Sequence, residues 1–215
     1  MGAVQKIDEL AYAAYLQAHA EPLEPDANYT EVHLDGVDLG GVDAAHARFI
    51  ESAFEGVTFT EGNLDHCRFN DVWVSRNRWV GVKAAETEWL DVSVLDSVLA
   101  GVQAYGSRLR RVVFQRCKID SLNLRGATLV DVEFDGCELN ELDCAGATLT
   151  NVTFAGSAVK RARFSGVKLK KVDFRGAREL DVADGADALR GAIVDERQLL
   201  ELAPVLAAAL GIEVK

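Results

Sequence analysis

Apolar residues recur along this chain with a period of five. Counting from Leu34 in steps of five, through Leu39, Ala44, Phe49, Phe54 and Phe59 and on to Phe164, Leu169 and Phe174, all 29 positions are apolar. In a chain that is 49% apolar such a run arises by chance roughly once in a billion, and all nine phenylalanines fall in this one slot. Neither the helical period of 3.6 nor the strand period of 2 produces it. The slot two residues earlier holds 13 Val, four Ala, four Ser, three Cys and two Leu, with only Gly62, Asn77 and Thr87 besides, so it selects small or β-branched side chains. The slot two residues after the central one holds 12 of the 18 glycines, which suits a corner where the backbone must turn sharply. The remaining two slots are mostly polar, as at Asp38, Arg48, Arg68, Glu133 and Lys168. Each unit of five therefore predicts two inward side chains and three positions facing outward, one of them the corner.

Units such as Cys137-Glu138-Leu139, Ala127-Thr128-Leu129, Ala147-Thr148-Leu149 and Val172-Asp173-Phe174 resemble the pentapeptide-repeat family, whose consensus is a small residue, a polar residue, Leu or Phe, and two variable residues. The resemblance runs from residue 32 to about 176 without insertion or deletion. It implies an all-β solenoid, a right-handed quadrilateral parallel β-helix with four units per coil, in which residues twenty apart stack. The 29 units make about seven coils, a rod about 34 Å tall at the ~4.8 Å strand spacing. Both ends leave backbone edges that need caps. Val4, Ile7, Leu10, Ala11, Ala14 and Tyr15 recur at helical spacing before Pro22 and Pro25, which predicts an N-terminal capping helix. After Phe174 the frame breaks at Glu179 and Asp184, resumes at Leu189 and Val194, and gives way to Leu199, Leu202, Val205, Leu206 and Ala209, with Pro204 in the first turn of a second short helix. The organisation expected is residues 1–28 as N-terminal capping helix and linker, 29–178 as β-helix, and 179–215 as C-terminal loop with capping or dimerisation helices. In the family such a C-terminal helix seals the last coil and commonly joins two copies, for which Leu200, Leu210 and Ile212 are the candidates here. A cap folded on its own rod is the other option.

Charge sharpens the picture once it is placed on the coil. The net charge is -11, but residues 1 to 100 hold 18 acids and 6 bases, whereas residues 101 to 180 hold 9 acids and 14 bases, with a basic band at Lys160, Arg161, Arg163, Lys168, Lys170, Lys171 and Arg175. One corner column reads Glu31, Glu51, Asp71, Asp91 and then Arg111, and a neighbouring column holds Asp35 and Glu55. Carboxylates ~5 Å apart in a line repel one another, so the column is either a solubilising face or a contact for a basic partner. Trp73, Leu90 and Leu95 occupy outward slots beside Asp71 and Asp91 and are expected to form an apolar contact patch. Members of the family associated with fluoroquinolone resistance are acidic dimeric rods that occupy the DNA-binding surface of DNA gyrase or topoisomerase IV. The uninterrupted frame is similar to the loop-free mycobacterial type and lacks the projecting loops of the plasmid-borne type. The resemblance thus implies a DNA mimic that binds gyrase and contributes to inhibitor resistance, with a generic protein-interaction scaffold as the alternative. The basic band departs from a rod acidic along its whole length.

Candidate chemistry is sparse. Cys67, Cys117 and Cys137 lie in the small inward slot and Cys144 in the central one, the places of buried thiols. His46, His66 and Glu86 share a corner column and are a weak metal candidate, lacking a fourth ligand. The periodic glycines are corners rather than phosphate-cradling loops. The expectation is a protein that is not an enzyme, with no cofactor and no direct contact with nucleic acid or membrane, since the net negative charge opposes both. The first residues show no secretory signal, and a cytoplasmic location is expected.

Overall fold

A computed structural model describes residues 4–213. The chain winds into a parallel β-solenoid of about eight turns closed by a C-terminal helix, one turn more than the in-frame units predict. The extra length comes from both flanks. Gln17–Ala18 pairs with Val32 and His33, and Ala192–Ile193 pairs with Val172 and Asp173, so segments outside the strict repeat still follow the coil.

Partners across coils are twenty residues apart, as in Phe49 with Phe69 and Phe69 with Trp89. Strands of eight residues, such as Arg48–Glu55, Arg68–Ser75, Glu88–Leu95 and Arg108–Gln115, run through one corner and cover two faces as an 11-stranded sheet. Three-residue strands such as Arg78–Val80 form the third face, an 8-stranded sheet, and single bridges such as Asp43 with Asn63 form the fourth. The parallel alignment puts identical slots on top of one another, and the interior becomes a set of ladders. Phe114, Phe134, Phe154 and Phe174 stack with ring centroids 5.0, 5.2 and 4.8 Å apart and planes within 9° of parallel, close to the spacing of the strands themselves. At Trp89 the small slot changes to serve the ring: Trp89 Nε1 donates to Thr87 Oγ1 at 2.8 Å, and Thr87 Oγ1 lies 2.8 Å from Ser107 Oγ. That need explains one of the three exceptions in the small slot. Asn77 is another, its Oδ1 accepting from the Val57 amide at 2.9 Å.

The expected frame break at Glu179 is a one-residue insertion. Ala158 pairs with Glu179 and Val159 with Leu180, 21 residues on; the spacing is 20 at Ala162 and Val182 and 21 again at Arg163 and Asp184. The extra residue is absorbed without leaving the coil. The C-terminal helix α1 spans Glu196–Ala209 and begins with a capping box: Asp195 Oδ1 accepts from the Gln198 amide at 2.8 Å and Gln198 Oε1 from the Asp195 amide at 3.1 Å. Gln198, fully buried, also donates to the Phe174 carbonyl at 2.7 Å and so closes the last coil. Pro204 lies in the middle of this helix and not in its first turn. It is tolerated because the Leu200 carbonyl it leaves unpaired is on the exposed side.

The N-terminal flank departs from expectation. In place of a helix it forms two single 3-10 turns, Ile7–Glu9 and Ala13–Tyr15, followed by the short strand Gln17–Ala18. Val4, Ile7, Leu10 and Leu16 are spaced by multiples of three, the period of 3-10 geometry and not of an α-helix, and all four pack on the side of the solenoid against Ala53, Trp73 and Leu95. The segment is a strap along the rod. No helix among the described residues is long and apolar enough to cross a membrane.

Candidate functional site

The strap lies over the face on which the sequence places its acidic and apolar candidates. Trp73 and Leu95 point away from the rod axis as their slots require, yet they are buried beneath the strap at 2% and 1% exposure, and Leu90 is half-buried. Trp73 Nε1 donates to the Val4 carbonyl at 3.0 Å, and the Tyr12 hydroxyl donates to the Ser52 carbonyl at 3.4 Å. The expected apolar contact patch is therefore corrected: Trp73 and Leu95 anchor the chain's own N-terminal segment. An outward slot means only that a side chain leaves the solenoid interior, and a covering segment without the five-residue period is invisible to that rule. Between strap and corner column runs a groove of about 500 Å³, lined among others by Leu10, Tyr12, Glu51, Asp71, Asp91 and Arg111.

The column itself is set apart by its backbone. Corner residues throughout the rod adopt positive φ, and three of the four corner columns contain glycines there. The column of Glu31, Glu51, Asp71, Asp91, Arg111, Asp131, Asn151 and Lys171 has none, although φ lies between 48° and 57° at every one of the eight. A side chain at such a corner costs about 1 kcal/mol over glycine. Side chains are thus retained at every corner of this line, although each is conformationally unfavourable.

Charge compensation along this column is uneven. Arg111 Nε and Nη2 donate to the two oxygens of Asp91 at 2.5 and 2.6 Å, and Asn151 donates to Asp131 at 2.6 Å. Glu31, Glu51 and Asp71 have no ion pair among the described residues. The Arg111 hydrogen bonds hold the Asp91 carboxyl below the usual range, whereas burial, then Asp91 and Glu51, push Asp71 above it. The signs have opposite consequences. Asp91 contributes stability at neutral pH that is lost as pH falls through its folded value, below about pH 4. Asp71 binds its proton more tightly folded than unfolded, so its ionisation costs stability at neutral pH, and the cost is relieved as pH falls through its raised value. Asp71→Asn is expected to raise the thermal midpoint at pH 7 and to lose this gain below about pH 4, while Asp91→Asn lowers it at pH 7. Thermal unfolding monitored by circular dichroism at both pH values checks this, and a lower midpoint for Asp71→Asn at pH 7 would refute it.

Elsewhere several outward columns carry compensating pairs. Arg116 pairs with Asp96 at 2.7 Å, Arg68 and Arg108 bracket Glu88 at 3.3 and 3.4 Å, and within the basic band Arg161 meets Glu141 at 3.0 Å and Lys160 meets Glu179 at 3.3 Å. Asp35 is exposed, while Glu55 pairs with Arg76 and lies 3.4 Å from His33 Nε2, so this neighbouring pair does not extend the free acidic strip. His46 and His66 stack with centroids 4.7 Å apart and planes within 8°, and His66 Nδ1 is 3.8 Å from a Glu86 oxygen. Because the lone pairs of stacked imidazoles lie in parallel planes, they do not converge on one ion. All four thiols are free and buried. Burial pushes Cys67 and Cys144 up to about 12, and a hydrogen bond with Cys137, then burial, raises Cys117. Leu200, Leu210 and Ile212 are exposed at 76%, 74% and 56%, beside the similarly exposed Leu199.

A parallel solenoid with a five-residue repeat, stacked interior ladders and corner columns defines a class of quasi-one-dimensional scaffold. Residues 33–71 match the family model for pentapeptide repeats in eight copies, and residues 87–164 and 107–182 match that for a pentapeptide repeat region. The chain belongs to the pentapeptide-repeat family. No curated protein sequence matches it. Among solved structures, a trypsin-treated variant of QnrB1, a plasmid-mediated fluoroquinolone resistance protein, is 18% identical, with 92% of this chain and 96% of that one covered and a TM-score of 0.43. HetL, a pentapeptide repeat protein involved in heterocyst differentiation regulation from the cyanobacterium Nostoc, is 16% identical, with 80% and 91% covered and a TM-score of 0.31.

Proposed function

We propose that the chain is a non-enzymatic protein-binding rod whose corner column receives basic side chains of a protein partner. The observation that supports this most is the run of Glu31, Glu51 and Asp71: unpaired carboxylates held at positive φ on the one glycine-free corner column, with the ionised Asp71 disfavoured by its surroundings. Sites kept at the expense of stability are commonly functional ones, and a cationic partner would relieve the repulsion. DNA gyrase or topoisomerase IV is the partner that the family resemblance puts first, because a surface that binds DNA is basic. Competition there would contribute to inhibitor resistance. The free strip covers three coils, about 10 Å between its ends, so it acts as a local anchor and not as a replica of DNA along the whole rod. The exposed Leu200, Leu210 and Ile212 on and beyond α1 are assigned to contact with a second copy. Inhibition of gyrase supercoiling by micromolar protein, weaker at moderate than at low salt, is the expected result. No inhibition at that concentration would remove gyrase as the partner, and a single-chain mass by light scattering would remove the second copy.

A further inference from the structure

Among the described residues, one set of three histidine and carboxylate side chains brings a donor atom from each within 4.8 Å of the others: His33, Asp35 and Glu55. The fold assembles it from two coils. His33 and Asp35 are two apart on the strand Val32–Asp35 and share its outward face, and Glu55 is the register partner of Asp35 on the next coil. His33 Nε2 is buried from solvent and makes no hydrogen bond, although Glu55 Oε2 lies 3.4 Å away. A ring N–H aimed at that oxygen would form one; instead the two atoms sit side by side. Two ligands 2.0–2.1 Å from a tetrahedral ion are themselves about 3.4 Å apart. The other oxygen of Glu55 is held by Arg76, which orients the carboxylate and leaves Oε2 free, the kind of outer partner that ligating carboxylates ordinarily have.

We infer that His33, Asp35 and Glu55 form a binding site for a divalent first-row transition cation such as zinc, clamping the first two coils together. The nitrogen donor favours such an ion over magnesium or calcium, which prefer all-oxygen sets. Asp35 and Glu55 supply two negative charges, one of them shared with Arg76, and solvent completes the shell on the exposed Asp35 side. The site is distinct from the His46–His66 stack and does not depend on the partner proposed above.

Isothermal titration of the full chain with zinc chloride in chelator-free buffer tests it, alongside the thermal midpoint with and without the metal. Expected are one equivalent bound, a raised midpoint because the ion binds the folded coil pair, and affinity at least tenfold weaker in both His33→Gln and Asp35→Asn. His46→Gln with His66→Gln should leave binding unchanged. Asp35 is exposed, so its variant reports on the site even if replacing His33 disturbs folding. No stoichiometric binding by the wild type, wild-type affinity in Asp35→Asn, or loss of binding only in the His46/His66 variant would overturn the assignment.

Discussion

Phe134→Ala is expected to lower the free energy of unfolding by about 3–5 kcal/mol, read from urea denaturation. Phe134 is 1% exposed and stacks on Phe114 below and Phe154 above. Removing the ring therefore strips contacts from two neighbouring coils as well as leaving a cavity. Relaxation is limited because the surrounding backbone is pinned by ladder hydrogen bonds to the coils on both sides. In a solenoid each coil is stabilised chiefly by its neighbours, so a break in the middle of the ladder weakens both halves. A loss below about 1 kcal/mol would mean that the interior ladder does not hold the rod together.

Trp73→Ala is expected to produce the second-largest effect, about 3 kcal/mol, and to concentrate it in the strap. The indole is the largest apolar group beneath residues 4–16 and the donor to the Val4 carbonyl. The strap's own turns are single, and its other anchors are few, among them Tyr12 on Ser52 and the pairing of Gln17 with Val32. Hydrogen exchange followed by mass spectrometry should show the amides of this segment losing protection while the central coils keep theirs. Unchanged protection of the strap would show that Trp73 does not fasten it.

The repeat made most of the fold legible, because a period of five with separate central, small and corner slots can be satisfied only by stacking identical units. Phe114, Phe134, Phe154 and Phe174 fall into register from their spacing alone, and so do the columns containing Glu31, Glu51, Asp71 and Asp91. What the repeat could not convey was anything built by residues that lack it. The strap obeys a spacing of three, and its placement over Trp73 and Leu95 is a tertiary choice made by apolar surface seeking cover. The result turns an expected contact patch into a fastening. The His33, Asp35 and Glu55 cluster was readable in principle, as an i, i+2 pair plus a residue twenty on. Following single columns led to His46 and His66 instead, which are neighbours but stack face to face. Compensation was also hidden in part: the twenty-residue rule aligns Arg111 with Asp91, but only side-chain geometry shows that the pair is bidentate and that Asp71 receives no such partner.

The uncompensated column is the feature from which the proposed function follows. Reversing its central charge with Asp71→Arg places a like charge before any basic partner while touching none of the interior ladders. The dissociation constant for purified gyrase or topoisomerase IV, measured for wild type and Asp71→Arg at low and moderate salt, is the most direct test. The expected result is micromolar or tighter binding by the wild type that weakens with salt, and binding at least tenfold weaker for the variant. Equal affinities for the two proteins, or affinity indifferent to salt, would contradict the assignment of the corner column as the binding surface.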